Sequence, residues 1–199
     1  MQKAGQAAIF AAEEAGLLAT TVELARAHLK THGDDAKVWL TLGAALSELS
    51  RFAEAEVAFE RALSQEKLRV FVYTARGHMA QRRGDYLDAE HWFSRAIEID
   101  PKPTYSHVFR AVVTGRRGDL KLAEQRYLEA LAVCRVEEFD EFDEFDEIYA
   151  NLGGVLVAQE RYVEAVECFE RALEIDPDYA FAQIRLKDAR QLLKSRQPK

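Results

Sequence analysis

Apolar residues recur along this chain three and four positions apart, in segments broken by short polar or glycine-bearing stretches. That spacing places the apolar positions on one face of a helix. It predicts eleven amphipathic helices, over 2–15, 18–32, 36–49, 52–65, 70–83, 86–98, 104–117, 120–136, 146–159, 162–174 and 180–195, and no strand. The abundant Ala, Leu, Glu and Arg are good helix formers. With only 10 Gly and 4 Pro, the chain lacks the frequent turns of a sandwich or barrel.

The pattern repeats. Segments starting at Ala36, Val70 and Thr104 follow one another every 34 residues, and a fourth starts at Asp146 after eight extra residues. Their eighth column reads Gly43, Gly77, Ala111 and Gly153, and their twentieth Ala55, Ala89, Ala123 and Ala165. The twenty-fourth reads Phe59, Phe93, Tyr127 and Phe169, and the twenty-seventh Ala62, Ala96, Ala130 and Ala172. The seventeenth is always bulky: Phe52, Tyr86, Leu120 and Tyr162. Small residues at eight and twenty let two helices cross closely. The rings at seventeen and twenty-four are expected to fill the gaps between successive pairs.

These columns resemble the tetratricopeptide repeat, whose period is 34 residues. Trp39-Leu40-Thr41-Leu42-Gly43 carries the family's opening motif, and Tyr149-Ala150-Asn151-Leu152-Gly153 nearly does. Asp100-Pro101 and Asp176-Pro177 carry its close, where Pro ends the second helix. The third repeat departs most, with His107 at column four, Ala111 at column eight and Arg135 where Pro is usual; Lys67 replaces Pro in the first. The resemblance implies an all-α, right-handed solenoid of antiparallel helix pairs. Its expected parts are a degenerate N-terminal hairpin (1–35), repeats at 36–69, 70–103, 104–137 and 146–179, an acidic insert at 138–145 and a capping helix at 180–196.

Charge narrows the function. The net charge is -7, and eight acids crowd into residues 137–147 without a base. Nucleic acid, which is held by Lys and Arg on phosphates, is therefore not an expected partner. No run of apolar residues is long enough for a membrane helix, and Met1-Gln2-Lys3-Ala4-Gly5 does not begin a signal peptide. Cys134 and Cys168 read as buried free thiols, in keeping with a reducing, cytoplasmic location. The polar ends suggest a complete small protein or a trimmed domain.

Catalytic chemistry is not signalled. His28 and His32, one turn apart, read as a solvated helix end rather than a metal site; His78, His91 and His107 join no ligand motif. Neither a phosphate loop nor a nucleophile motif is present. The expectation is no catalytic residue, no cofactor and no metal. Arg82-Arg83-Gly84-Asp85 and Arg116-Arg117-Gly118-Asp119 read as helix ends followed by turns.

In the family the first helix of each repeat lines a concave groove through columns two, five, nine, twelve and thirteen. Carried over, those columns give a partner surface of Lys37, Leu40, Phe71, Thr74, His78, Arg82, Tyr105, Val108, Val112, Arg116 and Ala150, with Asn151 beside it. Its expected guest is an apolar or amphipathic protein segment of some acidic character. The family's clamp for the C-terminal carboxylate of heat-shock chaperones needs Lys and Asn at fixed columns. Leu40, Ala44, Ala75, Tyr105 and Phe109 stand there instead, so that tail is disfavoured. The insert repeats Glu-Phe-Asp three times, and its Phe139, Phe142 and Phe145 make a possible interaction loop. The functional expectation is a monomeric, non-catalytic scaffold or adaptor. The alternative is a regulatory or targeting domain of a larger enzyme, chaperone, or secretion or pilus assembly machine.

Overall fold

Three buried phenylalanine rings explain how the helices pair. In the computed structural model, which describes residues 2–102, 104–136 and 145–196, Phe59, Phe93 and Phe169 are wholly inaccessible to solvent. Each ring sits on the glycine of its own helix pair. A Cβ added to Gly43, Gly77 or Gly153 would lie 2.5, 2.5 or 2.8 Å from the Cε1 atom of Phe59, Phe93 or Phe169. The rings therefore fill a notch within a pair, not the gap between pairs that the columns suggested. Ala at column eight would already be too large for those rings. The pair that has Ala111 there buries Tyr127 at column twenty-four.

Contacts divide the chain into two compact units, Met1–Asp100 and Pro101–Lys199. The first holds α1 (Gln2–Glu14), α2 (Leu18–Leu29), α3 (Ala36–Glu48), α4 (Phe52–Ala62), α5 (Arg69–Arg82) and α6 (Tyr86–Ile99). A short 3-10 turn, Glu66–Leu68, leads into α5 where Pro is usual in the family. The second holds α7 (Thr104–Arg116), α8 (Leu120–Val136), α9 (Phe145–Ala158), α10 (Tyr162–Ile175) and α11 (Ala180–Ser195). No strand occurs among the described residues. Within each unit consecutive helices pack on each other, and the first helices α3 and α5 also touch, as do α7 and α9.

Each unit has its own core. Ile9, Val22, Leu29, Val38, Leu42, Leu46, Phe59, Val72 and Met79 form the first. Val108, Tyr127, Leu131, Ile148, Leu152, Leu156, Phe169 and Leu186 belong to the second. Phe145 packs against that second core from the first turn of α9, so it leaves the insert to which the sequence assigned it. Phe139 and Phe142 lie outside the described residues.

One backbone position recurs with the period. Gly16, Gly84 and Gly118 have φ of 68°, 77° and 95°, and the equivalent turns hold Ser50 at 59° and Glu160 at 64°. Among the described residues, only these turns need the left-handed region, where a Cβ costs about 1 kcal/mol. Asp85 and Asp119 then accept from the amide nitrogens of Asp88 and Leu122 at 3.2 and 3.3 Å, capping the next helix. The two Arg-Arg-Gly-Asp runs are thus turn-and-cap devices. Ser50→Gly is expected to raise stability by about 0.5–1 kcal/mol, read as a higher urea midpoint.

Cys134 is buried, its thiol 3.4 Å from Thr104 Oγ1. Cys168 is half-buried, and burial, then nearby Glu167, Glu164 and Glu124, push its thiol up to about 11. His28 is not a solvated helix end. It is buried, with Nε2 2.9 Å from Asp35 Oδ2, which also accepts from Gln6 at 2.6 Å. Burial opposes charge on Asp35, yet the hydrogen bonds from Gln6, His28 and the Val38 amide outweigh it and hold the carboxyl below its usual range. Asp35 is also the N-cap of α3, so this cluster ties the N-terminal hairpin to the first full repeat.

Candidate functional site

Within the first unit, α3 and α5 lie side by side and leave a hollow of about 410 Å³ between them. Ala44, Ser47 and Glu48 line it from α3, and Ala75, His78, Gln81 and Arg82 from α5. The small Ala44 and Ala75 open the floor; longer side chains there would fill it. Phe71 stands on the same face of α5, one helical turn before Ala75, and is 54% exposed. Lys37 is exposed and Leu40 half-buried on α3.

Charge in this hollow is balanced internally. Arg82 reaches the Glu48 carboxylate at 2.8 Å and its backbone carbonyl at 3.0 Å. Arg82 is thus engaged across the hollow instead of standing ready as a cation for a guest. Burial pushes the His78 imidazole below the ordinary histidine value of 6.5, against a smaller upward pull from Glu48. His78 is therefore neutral at pH 7. A depressed histidine lowers stability as pH falls below 6.5, because the unfolded chain takes the proton first. His107 adds to the same trend: it is buried, with Nε2 2.9 Å from the Pro101 carbonyl. Stability is expected to fall between pH 7 and 5, and His78→Gln should flatten that slope in urea titrations at each pH.

In the second unit the first-helix faces carry Tyr105, Val112 and Arg116 on α7 and Asn151 on α9. Tyr105 is half-buried, its ring 6.4 Å from that of Phe109, and Arg116 is exposed. A Cβ on Gly154 would meet nothing within 4 Å, so the surface of α9 is open there.

Three of the residues expected to line a groove do not. Thr74, Val108 and Ala150 are buried, at 9%, 6% and 0% exposure. All three occupy column five. Thr74 also spends its hydroxyl on the Val70 carbonyl at 2.9 Å. The same column of α3 holds Leu40, which is half-buried, so column five offers a guest little beyond that one side chain. Columns two and nine, which hold Phe71, His78, Tyr105 and Val112, remain at least partly accessible. Ala44, Ser47 and Gln81 belong with the hollow, and the alternation of small and polar residues at columns nine and twelve signals them.

Models of the tetratricopeptide repeat match residues 36–67, 72–103 and 147–179. The chain belongs to the tetratricopeptide-repeat family. No curated protein matches the sequence. Among solved structures, PilF of Pseudomonas aeruginosa is similar with a TM-score of 0.76 and 13% identity, over 98% of this chain and 85% of that one. YrrB, described as a tetratricopeptide-repeat protein with an unusual peptide-binding site, has a TM-score of 0.65 and 17% identity, over 90% and 88%. The first such domain of Spaghetti (RPAP3), bound to the HSP90 peptide SRMEEVD, has a TM-score of 0.56 and 23% identity, over 63% and 94%. These likenesses establish the all-α tetratricopeptide-repeat fold. No helix of the described residues is long and apolar enough to cross a membrane.

Proposed function

We propose that this tetratricopeptide-repeat chain is a non-catalytic scaffold or adaptor that holds a segment of a partner protein against its first-helix faces. The hollow between α3 and α5 carries the reading. It gathers small and polar side chains from the columns the family uses for binding, beside the exposed ring of Phe71. Its walls suit an extended or helical segment with one bulky apolar side chain near Phe71 and hydrogen-bonding groups near Gln81 and Ser47. A free carboxylate is poorly matched. Arg82 is already paired with Glu48, and His78 is neutral. The peptide-bound RPAP3 domain and YrrB support a peptide guest in general. The side chains here argue against an acidic C-terminal tail of the RPAP3-bound kind.

Phe71→Ala is expected to weaken partner binding by about 2 kcal/mol, roughly thirtyfold, as exposed aromatic anchors do. It should change folding stability by less than about 0.5 kcal/mol, because the ring is mostly in solvent. Quantitative pull-downs with wild type, Phe71→Ala and Gln81→Ala, each checked by circular dichroism, measure this. Equal recovery of every partner by all three forms would remove the α3–α5 face as the binding site.

A further inference from the structure

The last helix differs from the others in charge. Residues 180–196 hold Arg185, Lys187, Arg190, Lys194 and Arg196 against one acid, Asp188, in a chain whose formal charge is -7. Elsewhere in the second unit, guanidinium groups are spent on neighbouring acids: Arg161 on Glu124 and Glu164, Arg171 on Glu174, and Arg110 on Glu129. On the last helix, Arg190 reaches Glu170 at 2.7 Å and Arg196 reaches Glu160 at 2.8 Å. Arg185, Lys187 and Lys194 have no acidic partner among the described residues.

Helical geometry sorts the side chains of α11 into three faces. Ala182, Leu186 and Ala189 are buried, and α11 packs on α10. Phe181, Ile184 and Leu192 form a second face and are 40%, 62% and 38% exposed. Arg185 lies at the edge of that face, its guanidinium carbon 5.5 Å from the Phe181 ring centre. Gln183, Lys187, Arg190 and Lys194 form a third, basic face. Shallow hollows of about 370 and 380 Å³ flank the ridge between the two outer faces, and Gln191 belongs to both.

A capping helix that only closed a stack would show water a polar outer surface. This one shows apolar side chains beside uncompensated cations. We infer that the outer faces of α11 are a docking surface for an acidic segment of a partner protein that carries aromatic or leucine side chains. The apolar stripe takes those side chains, and Arg185, Lys187 and Lys194 set the sign of the charges between them. A lipid surface fits less well, since Asp188 stands within the apolar stripe between Ile184 and Leu192. The surface is separate from the α3–α5 hollow, and the inference stands whether or not that hollow binds a partner.

The probe is a labelled peptide, Glu-Phe-Asp-Glu-Phe-Asp-Glu-Phe-Asp, which has the required chemistry and matches residues 138–146 of this chain. Fluorescence anisotropy follows its binding to the full chain. Because the chain carries its own copy of that sequence, a Phe139→Ser/Phe142→Ser chain is titrated alongside. The peptide should bind at least this second form. Added Ile184→Asp and Lys187→Glu, both at exposed positions, should weaken binding about tenfold or more, whereas Phe71→Ala should leave it unchanged. Raising salt from about 50 to about 300 mM should also weaken it several-fold. Three results would overturn the inference: no binding by either form, binding that ignores the α11 substitutions, or capture on phosphatidylserine vesicles without peptide binding.

Discussion

Phe93→Ala is expected to lower stability by about 3–5 kcal/mol. The ring is wholly buried and rests in the notch left by Gly77. Its removal leaves a cavity against the bare backbone of Gly77. The His78 ring, whose centre lies 5.3 Å from that of Phe93 at a steep angle, loses this packing partner as well. Urea unfolding measures the loss, and hydrogen exchange locates it, since protection should fall most in α5 and α6. The notch supplies the control. Gly77→Ala alone should cost about 2–3 kcal/mol, because its Cβ would stand 2.5 Å from a ring atom that cannot retreat. Combined with Phe93→Leu, the cost should fall below the sum of the separate losses by about 1 kcal/mol or more. Strict additivity, or a Phe93→Ala loss under about 1.5 kcal/mol, would refute the interlock.

Arg76→Ala should cost about 2–3 kcal/mol. The Arg76 side chain is only 3% exposed, yet it carries a full charge on α5. It meets Glu56 at 2.6 Å and also Glu60, both on α4, and its guanidinium lies 4.7 Å from the centre of the Trp92 ring on α6. Truncation leaves two carboxylates facing each other and a stem-shaped void. The two acids are 42% and 61% exposed, so water still hydrates them, which keeps the loss below the 3–5 kcal/mol typical of a stranded buried charge. Arg76→Met should recover part of the loss by restoring the packed stem. Arg76→Lys should recover less than a charge-conserving change suggests, since ammonium cannot bridge two acids and stack flat on an indole. Urea midpoints of the four proteins decide this, and equal stability of Arg76→Lys and wild type would show that only charge matters there.

The helices were legible because small residues and rings recur at a fixed interval, and each is dictated by the residue it crosses. Even the turn at Gly16, Gly84 and Gly118 announces itself by residue type. What stayed hidden depends on groups contributed by other helices. Arg82 stood among the expected groove residues, and the Glu48 that engages it stands 34 residues earlier. His28 looked solvated because Asp35 and Gln6, which enclose it, come from different helices. Thr74, Val108 and Ala150 looked like groove residues because the family's columns, carried over, do not say how deeply each side chain is buried here. The hollow itself rests on Ala44 and Ala75, two residues whose importance lies in what they leave empty. The uncompensated charge of α11 emerged only once the partners of the other arginines were known.

The ring-and-notch contact has a consequence for anyone recombining such proteins. Since both halves of the joint belong to one hairpin, a hairpin can be moved as a cassette with its fit intact. A crossover placed between its two rods would instead marry a notch from one parent to a plug from another, and the mismatch would be felt at the most tightly packed point of the chimaera.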